Sequence, residues 1–201
     1  MHEEDGVGRK YVDLHIHTSY SDGECSIKTI FEIVEKKELR TISITDHDNI
    51  DANPLALQIG KKKGIEVICG TELSLEIDGV DVHILGYFVD INNKNLKNKL
   101  KEMKEARFIR AKKIVQNLNR QGIDLRFETV LKIAGNGAIG RPHIATAMLN
   151  EELIYSFKEA FDKYIGYNSP AYEEKLQLSP KEVFRIILDS GGIPVLAHPG
   201  V

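Results

Sequence analysis

The sequence predicts an α/β fold, on three observations. Between residues 11 and 77, short β-prone runs alternate with amphipathic helical runs in the order β-α-β-α-β, the signature of parallel strands wrapped by helices. Histidines and carboxylates stand at the carboxyl ends of those strands, where such folds gather their reactive groups. Residues 92–171 are helical and unusually long for a connection between strands, which marks an insertion that caps the site.

Each element has a local cause. Tyr11 to His15 alternates as a strand and releases Asp13-Leu14-His15-Ile16-His17-Thr18-Ser19-Tyr20-Ser21-Asp22-Gly23. His15 and His17, two apart, leave the strand on one face, and a Ser-Asp-Gly turn can fold Asp22 back toward them. Ser26 is an N-cap for a helix carrying Ile27, Ile30, Phe31 and Val34 at helical spacing. Thr41-Ile42-Ser43-Ile44-Thr45 is a second strand, ending in Asp46-His47-Asp48. A helix over 54–63 closes at Gly64, and Ile65 to Cys69 forms a third strand ending at Gly70-Thr71-Glu72. Residues 72–77 and 80–88 flank Asp78-Gly79, a hairpin signal with His83 on its second arm, and a two-residue turn would leave Glu72 and His83 near the open end, where both could address one ion.

From Asn92 to about Gln121 a helical stripe of Leu96, Leu100, Met103, Ile114 and Leu118 backs a basic side, nine Lys or Arg against Glu102 and Glu105 between Lys94 and Lys113. The reading is a solvated face, with nucleic-acid contact the alternative. Further helices are expected over 127–133, from Pro142 through Leu149, over 155–164 and over 179–189. In the last, Ser179 and Glu182 form a capping box. Ile193 to Leu196 is a strand delivering Ala197-His198-Pro199-Gly200. The domain reading is therefore residues 1–91 as the first part of the α/β unit, 92–171 as the insertion and 172–201 as the return.

Composition excludes several classes. A net charge of -3 over 201 residues exerts no strong global pull on nucleic acid or anionic membrane, so phosphate recognition must be local. No apolar run approaches the roughly 20 residues of a membrane span, and the acidic N-terminus is no signal leader, from which a cytoplasmic location is expected. Cys25 and Cys69 form no Cys-x-x-Cys pair, so neither a disulfide nor a thiolate metal site is expected.

Histidines carry the chemistry. His2 lies in the polar tail; the other six stand at or beside strand ends and Gly/Pro turns. With Asp22, Asp46 and Glu72 they exceed what one ion can use, so two or three metals are expected, with imidazole plus carboxylate suiting zinc, manganese or iron(II). Such a cluster makes hydroxide available at neutral pH and neutralises charge on a phosphoryl group, and Arg141 adds a planar fork for phosphate oxygens. Hydrolysis of a phosphate ester uses all these parts.

His15-x-His17 with Asp22, Thr45-Asp46-His47-Asp48, Gly70-Thr71-Glu72, His83, Arg141-Pro142-His143 and Ala197-His198-Pro199-Gly200 together resemble the PHP (polymerase and histidinol phosphatase) superfamily of metal-dependent phosphoesterases. The Arg-Pro-His segment, the long insertion and the Ala-His-Pro-Gly ending most resemble the branch that cleaves nucleoside 3′,5′-bisphosphates and trims short RNA from its 5′ end. The resemblance implies a distorted (β/α)7 TIM-like barrel with a helical cap and a trinuclear Mn, Zn or Fe centre. It implies that His15, His17 and Glu72 hold one ion, that Glu72 bridges to a second held by His83 and His143, and that Asp22 and His47 hold the third. Arg141 and His198 would face phosphate, His198 also as a proton donor, while Asp13 and Asp46 orient imidazoles.

The family closes its site with an Asp-x-His pair on a later strand, absent by Val201. The expectation is a fragment with the C-terminal strands missing, weak metal retention at two of three positions and little activity. The expected function is hydrolysis of nucleoside 3′,5′-bisphosphates or short 5′-phosphorylated RNA by a metal-bound hydroxide. The alternatives are a histidinol-phosphate phosphatase and a non-catalytic metal-stapled module. The expected partner is a phosphorylated small molecule or short oligonucleotide, with no membrane and no stable protein partner.

Overall fold

A computed structural model describes residues 11–77, 80–176 and 178–199. The N-terminal tail with His2, the Asp78-Gly79 turn and Gly200 lie outside the described residues. Strands β1 (Tyr11–Ile16), β2 (Leu39–Ile44), β3 (Glu66–Ile77), β4 (Val80–Tyr87) and β5 (Ile193–Leu196) form one sheet in that spatial order. The first three run parallel, with α1 (Ile27–Lys36) and α2 (Asn53–Lys63) as crossovers, whereas β4 is antiparallel to both β3 and β5. The sheet curls enough that the ring of His15, at one edge strand, stacks on that of His198, just past the other, with centroids 5.9 Å apart. The described residues therefore form a curled half-barrel of five strands, not the seven-stranded barrel that the resemblance implies.

One boundary differs from the sequence expectation in a way that builds the site. A strand ending at Glu72 and a separate hairpin arm are in fact one twelve-residue strand, β3. Its first part pairs with β2 from Glu66 to Cys69, and its second pairs with β4 from Gly70 to Ile77. Glu72 thus sits in mid-strand, level with His47, which forms an isolated bridge to it just past the end of β2. A carboxylate inside a long β-strand reaches the rim because its neighbour has already ended.

The remaining helices follow the sequence pattern closely. α3 (Lys94–Arg120) is capped by Asn93, and α4 (Phe127–Ala134) and α5 (Arg141–Asn150) follow it. The expected helix over 155–164 is a short α6 (Phe157–Glu159) running into a π-helical turn, Ala160–Ile165. α7 (Pro180–Asp189) has the expected Ser179–Glu182 capping box.

Packing divides α3 in two. Leu96, Leu100 and Met103 join Leu73, Leu75, Val183 and Ile187 beneath the sheet, whereas Ala111, Ile114 and Leu118 join Ile144, Met148 and Ile165 within the insertion. A third cluster, with Phe31, Ile42 and Ile44 fully buried, packs α1 and α2 on the parallel strands. Each such side chain contributes on the order of 1.5–3 kcal/mol. A single helix is thus anchored in both cores, and the residues at its changeover, Arg107 and Arg110, are held over the mouth of the sheet.

Candidate metal centre

Glu72 is the centre of the site. It is 1% exposed, and five imidazoles face its two oxygens. His15 Nε2, His17 Nε2 and His47 Nδ1 lie 3.0, 2.9 and 3.5 Å from Oε2, while His83 Nδ1 and His198 Nε2 lie 3.0 and 3.3 Å from Oε1. β1, the turn after β2, β4 and the turn after β5 each bring a histidine to this one residue of β3. Burial alone would raise the Glu72 pKa, but hydrogen bonds from His17 and His83 hold it far below the usual carboxylate range.

The nitrogens also face one another. His15 Nε2 and His17 Nε2 are 3.0 Å apart, and His83 Nδ1 and His198 Nε2 are 3.2 Å apart. Each gap fits an N–H of one ring meeting the lone pair of the other, or two lone pairs converging on a cation. Three groups, His15–His17–Glu72, His17–Asp22–His47 and His47–Glu72–His83, each have ligand atoms within 4.8 Å of one another. Glu72, His83 and His198 make an equally tight set on the distances above. The donors are nitrogen and oxygen, so they fit zinc, manganese or iron(II).

Loop architecture fixes the outer ligands. Asp22 lies 3.4 Å from His17 Nδ1 and 3.6 Å from His47 Nε2. Its turn is closed by Ser21 N–H and Gly23 N–H, both donating to the Thr18 carbonyl, and any Cβ at Gly23 would lie 2.4 Å from the His17 oxygen. Asp46 was expected to orient an imidazole. Instead its buried carboxylate accepts from Thr18 N, Thr18 Oγ1 and Ser21 Oγ at 2.6–2.7 Å and so fastens the turn that carries Asp22. Asp13 likewise accepts from the backbone N–H of His15, not from its ring.

His143 does not join the cluster, contrary to expectation. Gly140 N–H donates to its Nδ1 at 2.9 Å, which places the ring proton on Nε2, and Nε2–H donates to the Ser21 carbonyl at 3.0 Å. Both nitrogens are spent on backbone, and burial lowers the ring's pKa, in keeping with that neutral tautomer. His143 ties the insertion to the metal-binding turn. His198, expected to face phosphate, occupies the place beside Glu72 and His83 that His143 was expected to fill.

A cleft of about 620 Å³ opens beside this cluster, reaching His47, His83 and Asp22 on one side and Arg107, Arg110, Arg141 and Lys175 on the other. Arg141 donates to Asp81 at 2.6 Å, and Lys175 lies 2.5 Å from the same carboxylate. Burial opposes the Asp81 charge, but Lys175 and Arg141 outweigh it and lower its pKa. Arg107 bonds through each of its three nitrogens, with Asp48 at 2.5 Å, Ser74 Oγ at 2.9 Å and the Ile139 carbonyl at 3.4 Å. Arg110 is not: its Nε donates to the Glu173 carbonyl, and its buried Nη2 has no hydrogen-bond partner among the described residues.

Sequence reasoning missed Arg107, Arg110, Lys175, Asp81 and Ser74. Asp81 was within reach, since it lies two residues before His83 on β4 and shares its face. Arg107 and Arg110 follow the apolar stripe of α3 where charge is unexpected, but ten basic residues on one helix hid them. Lys175 sits in an irregular segment with no periodicity to place it.

The comparisons agree with this geometry. A family model, the PHP domain, matches residues 13–185. The chain belongs to the PHP domain family. This PHP domain is 30% identical over 190 residues to the 5′-3′ exoribonuclease Rnm of Salmonella typhimurium, covering 94% of the chain and 65% of that protein. It is 27% identical over 190 residues to the 3′,5′-nucleoside bisphosphate phosphatase of Chromobacterium violaceum, covering 94% of the chain and 67% of that protein. Among solved structures, a Bifidobacterium adolescentis protein classed with metal-dependent phosphoesterases superposes with a TM-score of 0.87 at 29% identity, covering 96% of the chain and 68% of its own. This PHP domain thus spans about two thirds of the length of the relatives it matches.

Proposed function

We propose that this chain hydrolyses a phosphate ester of a nucleotide bearing more than one phosphate, either a nucleoside 3′,5′-bisphosphate or a short 5′-phosphorylated RNA. The observation that carries this reading is the unpartnered, buried Arg110 Nη2 in a cationic cleft directly beside the Glu72 cluster. One phosphate engages the cluster; the cleft supplies a separate site for another. The names of the relatives support the same substrate class.

The residues that would hold divalent ions are His15, His17 and Glu72; Glu72, His83 and His198; and Asp22 with His47. Mn, Zn or Fe bound there supplies an activated water and neutralises charge on the phosphoryl group. Arg110, Arg141 and Lys175 would bind and orient the phosphate that is not cleaved, and Asp81 holds the last two in place. Arg107 anchors the wall of the cleft through Asp48 and Ser74. His143 keeps the Asp22 turn against the insertion.

A histidinol-phosphate phosphatase would need a carboxylate-lined cleft for its cationic substrate, and the excess of guanidinium and ammonium groups here opposes it. A panel of a nucleoside 3′,5′-bisphosphate, histidinol phosphate and a short 5′-phosphorylated RNA, assayed with Mn2+ present, tests the reading. Turnover of histidinol phosphate ahead of both nucleotides contradicts it. Stoichiometric metal without turnover of any of them favours the metal-stapled module.

A further inference from the structure

α3 carries a second basic surface that the cleft does not use. Lys97, Lys101 and Lys104 recur at helical spacing and so share a side of the helix. With the 48–51 turn they enclose a groove of about 690 Å³. The carboxylates bordering it offset only Lys104. Asp48 is committed to Arg107, and Asp51 lies 3.9 Å from Lys104. Among the described residues, no carboxylate oxygen lies within 4.0 Å of the Lys97 or Lys101 ammonium.

The groove adjoins the cleft. Lys104 Nζ donates to the Asn136 carbonyl at 2.7 Å, and the same turn continues through Ala138 and Gly140, which line the cleft. From Lys97 to Arg110 the helix runs about 20 Å at its ordinary rise per residue. The lysines and Arg110 lie on different sides of α3, so the 136–140 turn is what joins the open groove to the cleft. The chain as a whole is acidic, with a net charge of -3, so this positive strip is a local feature and not the reflection of a basic protein.

We propose that the groove between α3 and the 48–51 turn is a track for the phosphate backbone of single-stranded RNA whose 5′ end lies in the cleft. The proposal rests on the nucleotide reading above and adds that the substrate extends past its first nucleotide, over the 136–140 turn and along Lys101 and Lys97. A mononucleotide would fill the cleft without touching the track. Phosphate contacts of this kind read no sequence and make affinity depend on salt.

The test uses a Lys97→Glu/Lys101→Glu variant and a Lys97→Ala/Lys101→Ala variant of the Mn2+-loaded protein. Lys104 is left alone because it holds the 136–140 turn. Kinetics on 5′-phosphorylated hexauridylate and on a nucleoside 3′,5′-bisphosphate are compared, and anisotropy of labelled hexauridylate is followed as salt rises. Charge reversal is expected to cut kcat/KM on RNA by about tenfold or more while the bisphosphate kinetics stay at wild-type values. The alanine variant is expected to flatten the slope of log affinity against log salt by about 1.4 for two lost contacts. Unchanged RNA kinetics, or an equal loss on both substrates, overturns the track. Should neither substrate turn over, the hydrolase reading fails while anisotropy still decides the groove: RNA binding that is absent, or identical in all three proteins, overturns it, and binding weakened in both variants upholds it.

Discussion

His83 Nδ1 and His198 Nε2 lie 3.2 Å apart although 115 residues separate them in sequence. Both are turned toward Oε1 of the buried Glu72, and that oxygen is the meeting point of β3, β4 and the turn after β5. The pairing gives His198 a ligand's position and leaves His143 to the backbone. The expected consequences can be separated by experiment.

Glu72→Gln keeps the shape of the side chain but removes the charge that five imidazoles face. Turnover is expected to fall by more than about 100-fold, and the bound Mn2+ per chain, measured by elemental analysis after desalting, is expected to fall with it. Metal content equal to wild type would show that Glu72 is not a ligand.

Arg110→Met is expected to raise KM for a substrate with two phosphates by about 10- to 100-fold, the value of one charge-assisted hydrogen bond, with little change in kcat. For a phosphomonoester with a single phosphate the variant should match wild type. A loss on both substrates would move Arg110 from binding the uncleaved phosphate to shaping the whole cleft.

Ser74→Ala removes the hydroxyl that stands 3.2 Å from His47 Nδ1 and accepts from Arg107. Ser74 is thus a positioning residue: with His47 Nδ1–H donating to it, the Nε2 lone pair is aimed at Asp22. Competition titrations with a chelator should show one Mn2+ bound about 10- to 100-fold more weakly while the others keep their affinity. Uniform weakening of all ions would point to a general loss of folding instead.

Much of this was legible beforehand. His15 and His17 share a face because strand side chains alternate, and Ser26, Gly64 and the Ser179–Glu182 box mark helix ends through purely local chemistry. The two hairpin arms were also legible from the Asp78-Gly79 signal, but not the register that sets Ser74 opposite His83. What could not be read is three-dimensional. Nothing in the Arg141-Pro142-His143 segment announces that Gly140 and Ser21 will occupy both nitrogens of His143. Nor does the sequence show that Arg107 will bridge from α3 to Asp48, because that contact exists only once the insertion has folded over the sheet.

Protonation links His47 to stability in the metal-free protein. Burial first, and then the Arg107 charge, hold its pKa well below the ordinary imidazole value of 6.5. Above pH 6.5 the ring is neutral whether the chain is folded or unfolded; below it only the unfolded chain takes up the proton, so stability falls. The expected cost is about 1 kcal/mol per pH unit below 6.5 until the folded pKa is reached. Relative to wild type, His47→Asn should therefore gain stability between pH 7.5 and pH 5.5 in denaturant titrations of the apo protein. A stability difference independent of pH would mean that His47 takes up its proton equally in the folded and the unfolded chain.

The most direct measurement is anomalous diffraction from crystals soaked in Mn2+. Peaks are expected within coordination distance of His15–His17–Glu72, of Glu72–His83–His198 and of Asp22–His47, with His143 still bonded to Gly140 and Ser21. A peak on His143 with His198 turned away, or density with no anomalous signal around Glu72, would contradict the assignment of Glu72 as the shared ligand of the centre.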